Sequence, residues 1–142
     1  MKAFLDTSVF VAAFFGDHPH HAPSLDVFTR FPKKDVSCAA HSLFEVYSAL
    51  TRMPGKHRVR AEQAMLFIGN IREHMTMVAL TADEYAKALQ TFSELNVVGG
   101  AIYDALLASC ALKVQAKTLF TWNIRHYGQL GPNVTPLIQT PK

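Results

Sequence analysis

The chain has 142 residues, about the length of one domain, and 49% of them are hydrophobic while 18% are charged. This balance excludes an intrinsically disordered chain, which needs high charge and few apolar residues. Fourteen Lys and Arg outnumber eleven Asp and Glu, which gives a net charge of +3. A weakly basic surface permits a polyanionic partner but does not demonstrate one.

The sequence also indicates a compartment. No apolar run reaches the length of a transmembrane helix, and no cleavage site follows the short apolar stretch at residues 9–15. Cys38 and Cys110 form no CxxC pair and lie in apolar sequence, which predicts two buried free thiols. We therefore expect a cytoplasmic protein with no membrane association.

The predicted elements alternate between short apolar strands and helices. We predict strands over residues 2–5, 35–39, 75–79, 118–121 and 134–138, and helices over residues 7–15, 21–31, 42–53, 58–74, 81–95 and 101–114. Ser42 with Glu45, and Thr81 with Glu84, have the spacing of capping boxes. The alternation predicts an α/β fold with a central parallel sheet of about five strands, helices on both faces, and a single domain over residues 1–142.

In sheets of this kind, ligands bind beyond the carboxyl ends of the strands. Asp6 follows the first predicted strand, and residues 121–123 (Thr-Trp-Asn) follow the fourth. The sequence therefore predicts that Asp6 and Asn123 line one crevice.

Three of the eleven acids stand in apolar sequence, whereas the other eight have polar or amphipathic surroundings. They are Asp6, Glu45 and Asp104, and Asp104 is the only charged residue between Leu95 and Leu112. An ionised carboxylate near an apolar core costs several kcal/mol unless it is paired, and none of the three has Lys or Arg at helical spacing. Oxygen ligands without His or Cys favour Mg²⁺ or Mn²⁺, and Asn123 adds a neutral oxygen to the set.

Each acid also has a purely structural explanation. Asp6 has the residue type and position of a helix N-cap, and Glu45 completes a capping box with Ser42. Asp104 lies within a predicted helix and has the weakest explanation of this kind. The combination of the three is more specific than any one of them.

These residues resemble a known family. Residues 5–8 (Leu-Asp-Thr-Ser), Glu45 early in a helix, residues 102–108 around Asp104, and residues 121–123 resemble the PIN-domain nucleases, and within them the VapC-type toxins of bacterial toxin–antitoxin pairs. The similarity extends from Lys2 to about Ile138. It implies a PIN-like three-layer α/β/α fold and a ribonuclease site that depends on Mg²⁺ or Mn²⁺.

The resemblance also implies roles and partners. Asp6, Glu45 and Asp104 would be the metal-binding acids, and Asn123 would complete the catalytic set at a position where many members carry Asp. Thr7, Ser8 and Thr121 match positions that orient water or a ligand. An RNA substrate, a homodimer and a small VapB-type antitoxin are the implied partners. The expected reaction is metal-assisted hydrolysis of RNA phosphodiester bonds, with no protein nucleophile.

Basic and aromatic residues suggest where RNA would be held. The basic residues near the turn at 53–55 and after Asn123 are candidate phosphate contacts: Arg52, Lys56, Arg58, Arg60 and Arg125. A solvated basic helix start explains the first four equally well. Trp122 and Tyr127 either stack on a base or pack at the sheet edge, and we favour packing. His18, His20 and His21 lack the spacing of a metal site and predict a solvated loop.

Two other functions remain open from sequence. A PIN nuclease of RNA processing has the same acids, and so does a catalytically weak PIN-fold module that binds RNA or a protein. An aspartate-nucleophile phosphatase is disfavoured because position 8, two residues after Asp6, is Ser.

Overall fold

The five strands form one parallel sheet with β1 at its centre. A computed structural model describes residues 1–142. The strands are β1 (Ala3–Leu5), β2 (Val36–Ala39), β3 (Thr76–Val78), β4 (Thr118–Phe120) and β5 (Ile138–Gln139), in the order β3-β2-β1-β4-β5. Every neighbouring pair is parallel, and Ala3 pairs with Val36 on one side and with Thr118 on the other. The residues that follow β1 and β4 therefore leave the sheet side by side.

Seven helices cover the sheet. They are α1 (Thr7–Phe14), α2 (His21–Arg30), α3 (His41–Thr51), α4 (Ala61–His74), α5 (Ala82–Glu94), α6 (Ala101–Lys113) and α7 (Ile124–Tyr127). Single turns of 3₁₀ helix occur at Lys33–Asp35, Gly55–His57 and Thr135–Leu137. No helix is long and apolar enough to cross a membrane.

The core is divided by the sheet into two clusters. Successive side chains of a strand point to opposite faces, so Leu5 joins one cluster and Phe4 joins the other. The first cluster takes its helical residues from α1 to α4, and the second takes them from α5, α6 and α7. This arrangement confirms the predicted three-layer α/β/α fold with five parallel strands.

Several predicted boundaries were wrong at the chain's irregular segments. The fifth strand is only Ile138–Gln139, because Pro136 cannot donate a ladder hydrogen bond and residues 135–137 form a 3₁₀ turn. The predicted helix over 58–74 begins at Ala61, since Arg60 has an extended backbone and precedes the first turn. The short helix α7 was not predicted, although it supplies two residues of the site described below.

One of the two predicted capping boxes is present. The Thr81 hydroxyl accepts from Glu84 N, and the Glu84 carboxylate accepts from Thr81 N. The box predicted for Ser42 and Glu45 is absent, because α3 begins at His41 and Ser42 lies within its first turn. Glu45 is therefore not used as a cap.

Both cysteines are buried and free, as predicted. Burial raises the pKa of the Cys38 thiol well above its usual range and that of Cys110 to about 11. These thiols therefore stay protonated and contribute to packing.

Candidate active site

Asp6 lies at the point where β1 passes into α1 and is only 1% exposed. Its carboxylate accepts hydrogen bonds from the hydroxyls of Ser8 (2.7 Å), Thr121 (2.7 Å) and Tyr127 (3.0 Å). It also acts as the N-cap of α1, accepting from Ser8 N at 3.4 Å. No Lys, Arg or His forms an ion pair with Asp6, so hydroxyl donors replace a counter-ion around this buried charge.

Ser8 and Thr121 hold the chain around Asp6 in place. The backbone N–H of Trp122 donates to the Ser8 hydroxyl at 3.0 Å, and the N–H of Asn123 donates to the Thr121 hydroxyl at 2.9 Å. Each hydroxyl therefore contacts Asp6 and also fixes the backbone that leaves β4. These contacts join the two strand ends that the sequence predicted to share a crevice.

Glu45 approaches from α3 and is held by Thr7, the first residue of α1. The Thr7 hydroxyl donates to Glu45 Oε1 at 2.8 Å and lies 2.9 Å from the Ser42 hydroxyl. His41 Nε2 lies 3.9 Å from the same carboxylate oxygen. Partial burial raises the pKa of Glu45 and the charge of Asp6 adds to this, whereas Thr7 and His41 act in the opposite direction.

Asp104 lies in the first turn of α6, where the helix dipole favours a negative charge. Its Oδ2 lies 2.7 Å from Nδ1 of His126, and its side chain is 15% exposed. Burial and the charge of Asp6 raise the pKa of Asp104 to about 6, against the opposing effect of His126. Asp104 therefore ionises at a higher pH than an ordinary aspartate does.

The three acids interact electrostatically, although they do not form a closed cage. Asp6 raises the pKa of both Glu45 and Asp104, so negative charge is concentrated where β1, α3 and α6 meet. No group of three or more His, Cys, Asp and Glu side chains is placed to hold a metal ion by itself. This arrangement fits a Mg²⁺-type ion that keeps much of its water and takes only one or two carboxylates directly.

Asn123 differs from the acids in its surroundings. It is exposed at the start of α7, and its backbone rather than its side chain contacts the site, through Thr121. Its side chain makes no hydrogen bond within the chain, so its carboxamide is free to turn toward a ligand.

The basic residues that were predicted to contact RNA lie in different surroundings. Arg52 lines a cavity on α3 together with Glu45, His41 and Tyr103. Arg60 instead pairs with Glu62 at 3.5 Å, and both side chains are largely exposed. The remaining three predicted contacts, Lys56, Arg58 and Arg125, are exposed, and Arg58 donates to the carbonyl of Met53.

The sequence analysis missed three partners of the acids. His41 was detectable because it stands four residues before Glu45 on the same helix. His126 and Tyr127 were not detectable, since they lie 22 and 121 residues along the chain from the acids that they contact. Packing was predicted for Tyr127, and its ring is fully buried, but its hydroxyl also donates to Asp6.

The histidine segment is more ordered than the predicted solvated loop. His21 begins α2 and its Nδ1 lies 3.0 Å from the carbonyl oxygen of Ala12. His20 stacks on Trp122, with ring centroids 3.7 Å apart and an angle of 10° between the rings. Through this stack the histidine segment packs against Trp122, the residue that follows Thr121.

Comparison with known proteins places this chain in a family. Residues 3–127 match the sequence pattern of the PIN domain, a span that includes Asp6, Glu45, Asp104 and Asn123. The chain therefore belongs to the PIN domain family. It is 35% identical to the ribonuclease VapC40 of Mycobacterium tuberculosis over 114 residues, which are 80% of this chain and 81% of that protein.

Solved structures show the same fold at low sequence identity. VapC20 of Mycobacterium tuberculosis, a toxin that cleaves the sarcin–ricin loop, superposes with a TM-score of 0.72 at 17% identity and covers 89% of this chain and 94% of its own. VapBC2 of Rickettsia felis, solved bound to a DNA fragment from its promoter, gives a TM-score of 0.69 at 20% identity and covers all of both chains.

Proposed function

We propose that this chain is a metal-dependent endoribonuclease and the VapC-type toxin of a toxin–antitoxin pair. The observation that carries the proposal is the buried carboxylate of Asp6, which has hydroxyl donors but no basic partner and raises the pKa of two neighbouring acids. Such concentrated negative charge suits a divalent cation. Membership of the PIN family and the likeness to VapC40 support ribonuclease activity.

Each residue of the site has a distinct task in this proposal. Asp6 and Asp104 hold Mg²⁺ or Mn²⁺, directly or through water, and Glu45 completes the site or orients the attacking water. When bound, the ion acidifies water and offsets charge on the phosphate that is attacked. Ser8 and Thr121 fix the Asp6 carboxylate by hydrogen bonds, and Thr7 does the same for Glu45. Asn123 turns its carboxamide oxygen toward the ion or the substrate.

The proposed partners are a VapB-type antitoxin, RNA and a second copy of the chain, in the cytoplasm. Two apolar surfaces support protein partners. Leu43, Phe44, Tyr47, Met65 and Ile68 line a groove between α3 and α4, and Phe44 is 82% exposed. Tyr85, Leu89, Phe92 and Tyr103 line another between α5 and α6. Exposed apolar patches of this kind mark protein interfaces. We propose that residues 1–142 act as one PIN domain.

The experiment compares RNA ends after controlled expression of the wild type and of Asp104→Asn. Discrete new ends are expected only with the wild type, and purified protein should lose cleavage in EDTA and regain it with Mg²⁺ or Mn²⁺. Asp83→Asn, which removes an exposed acid at the start of α5, is the matched control and should cleave normally. Cleavage by Asp104→Asn at the wild-type rate, or undiminished cleavage in EDTA, would overturn the proposal.

A further inference from the structure

Five aromatic rings form a continuous strip that the proposed catalytic site does not use. Successive ring centroids are 5.1 Å apart for His57 and Phe15, 6.4 Å for Phe15 and His18, 5.7 Å for His18 and His20, and 3.7 Å for His20 and Trp122. We call these five residues the aromatic strip. They come from three separate parts of the chain, so the fold assembles the strip and local sequence does not.

One end of the strip reaches the acids. The N–H of Trp122 donates to the Ser8 hydroxyl at 3.0 Å, and that hydroxyl donates to Asp6 at 2.7 Å. The other end lies at the basic turn, because His57 stands in the 3₁₀ helix between Lys56 and Arg58. The strip therefore runs from a cluster of exposed cations to the carboxylate at the centre of the site.

The contact between His20 and Trp122 forms a firm platform. The indole Nε1 donates to the Ser24 hydroxyl at 2.8 Å, and the indole packs against the first core cluster. His20 is exposed and lies nearly parallel to the indole, with an angle of 10° between them. A flat ring held in this way offers a stacking surface to another flat ring with little loss of conformational entropy.

We propose that the aromatic strip binds a single-stranded segment of the RNA substrate, with a base stacked on His20 and phosphates near Lys56 and Arg58. This inference rests on the proposed ribonuclease function and specifies how its substrate is held. Unpaired bases stack on His and Trp rings regardless of sequence, whereas the bases of a duplex are not available for stacking. Asp17 is the only acid within residues 15–20, and Lys56 and Arg58 stand on either side of His57 in the sequence. Three of its five rings are imidazoles, which favours nucleic acid over an apolar protein segment.

The test measures RNA binding without cleavage. In the Asp104→Asn background, a fluorescein-labelled single-stranded 12-mer oligoribonucleotide of mixed sequence is titrated at pH 8 and followed by anisotropy. His20→Ala should weaken binding by about five- to a hundredfold, and His20→Phe should restore most of it, because the loss is that of one stacking ring. His74→Ala removes another exposed histidine, just before β3 at the amino-terminal edge of the sheet, and should bind normally.

A second signal locates the RNA. Trp122 is the single tryptophan, so intrinsic emission reports on the strip and should change in parallel with anisotropy. Three results would each overturn RNA binding by the aromatic strip and leave the nuclease proposal intact. They are wild-type affinity in His20→Ala, an equal loss of affinity in His20→Phe, and saturation by RNA with unchanged Trp122 emission. Absence of RNA cleavage by the wild type in Mg²⁺ or Mn²⁺ would overturn the nuclease proposal and this inference with it.

Discussion

The carboxylate of Asp104 and the imidazole of His126 are in direct contact, with Oδ2 and Nδ1 2.7 Å apart. This contact lowers the pKa of Asp104, yet burial and the charge of Asp6 outweigh it and leave that pKa at about 6. Asp104 therefore resists ionisation in the folded protein, and its ionisation lowers the free energy of unfolding.

Asp104→Asn should stabilise the metal-free protein at pH 7.5. Because the pKa of Asp104 is raised from 3.8 to about 6 on folding, its ionisation disfavours the folded state above pH 6. The variant should gain about 1–2 kcal/mol, roughly half of the full linkage value since the side chain is partly solvated. Urea unfolding measures this gain, which should vanish as the pH falls toward 4. A gain that is constant from pH 4 to 8 would contradict this explanation.

Mn²⁺ should stabilise the wild type but not Asp6→Asn. A cation that binds only the folded state adds about 2.7 kcal/mol at a hundredfold excess over its dissociation constant. Replacing one carboxylate oxygen of Asp6 by an amide removes the charge to which the ion is attracted. Thermal unfolding with and without Mn²⁺ checks this, and Asp83→Asn should respond like the wild type. An equal Mn²⁺ response in Asp6→Asn would place the ion elsewhere.

Tyr127→Phe should destabilise the protein by about 1–3 kcal/mol, because it leaves a buried carboxylate oxygen without its donor. Tyr127 is fully buried and its hydroxyl lies 3.0 Å from Asp6 Oδ1. Urea unfolding measures the loss. Tyr85→Phe is the control, since Tyr85 is 43% exposed and should change stability by less than about 0.5 kcal/mol. Equal effects of the two substitutions would rule out a special role for the hydrogen bond.

Thr7→Val should move the acid limb of the pH–rate profile to higher pH. The Thr7 hydroxyl lowers the pKa of Glu45, which burial has already raised, so its removal delays ionisation of Glu45 as the pH rises. RNA cleavage should fall severalfold on the acid limb of the profile and much less on its alkaline side. Thr51→Val, whose hydroxyl bonds only backbone carbonyls, should keep the wild-type profile. A uniform loss at every pH would indicate a structural defect instead.

Arg52→Ala should weaken binding of RNA more than Arg60→Ala does. Arg52 lines the cavity beside Glu45, whereas Arg60 is paired with Glu62 and its side chain is largely exposed. We expect Arg52→Ala to lower RNA affinity by about three- to tenfold. The slope of log affinity against log salt concentration should become shallower by about 0.7, the value for one lost phosphate contact. Anisotropy titrations at salt concentrations between about 50 and 200 mM compare the two variants. Similar RNA affinities of the two variants would indicate that the basic residues near the turn at 53–55 form only a solvated surface.

The fold could be predicted from sequence because it follows from local patterns, whereas the assignment of the three acids as metal ligands stays a prediction. Alternating apolar segments give the parallel sheet, and a carboxylate in apolar sequence, as at Asp104, is conspicuous wherever it occurs. Irregular segments were less predictable. The 3₁₀ turn at 135–137 and the helix α7 are shorter than any window in which periodicity is detectable.

The partners of the acids depend on tertiary contacts. Glu45 was explained by a capping box with Ser42, but Thr7, 38 residues earlier in the chain, holds it instead. The stack of His20 on Trp122 likewise joins residues a hundred positions apart, and no spacing rule predicts it. His41 is the exception, since helical spacing alone places it beside Glu45.

The pocket around Asp6 depends on parts of the chain that are far apart in sequence. Two of its hydroxyl donors, Thr121 and Tyr127, stand 115 and 121 residues after Asp6 in the chain. A nascent chain that ends before them has β1 and the first acid but lacks those donors. A truncation of that kind therefore keeps an acid of the proposed site but leaves its carboxylate with Ser8 as the remaining hydroxyl donor.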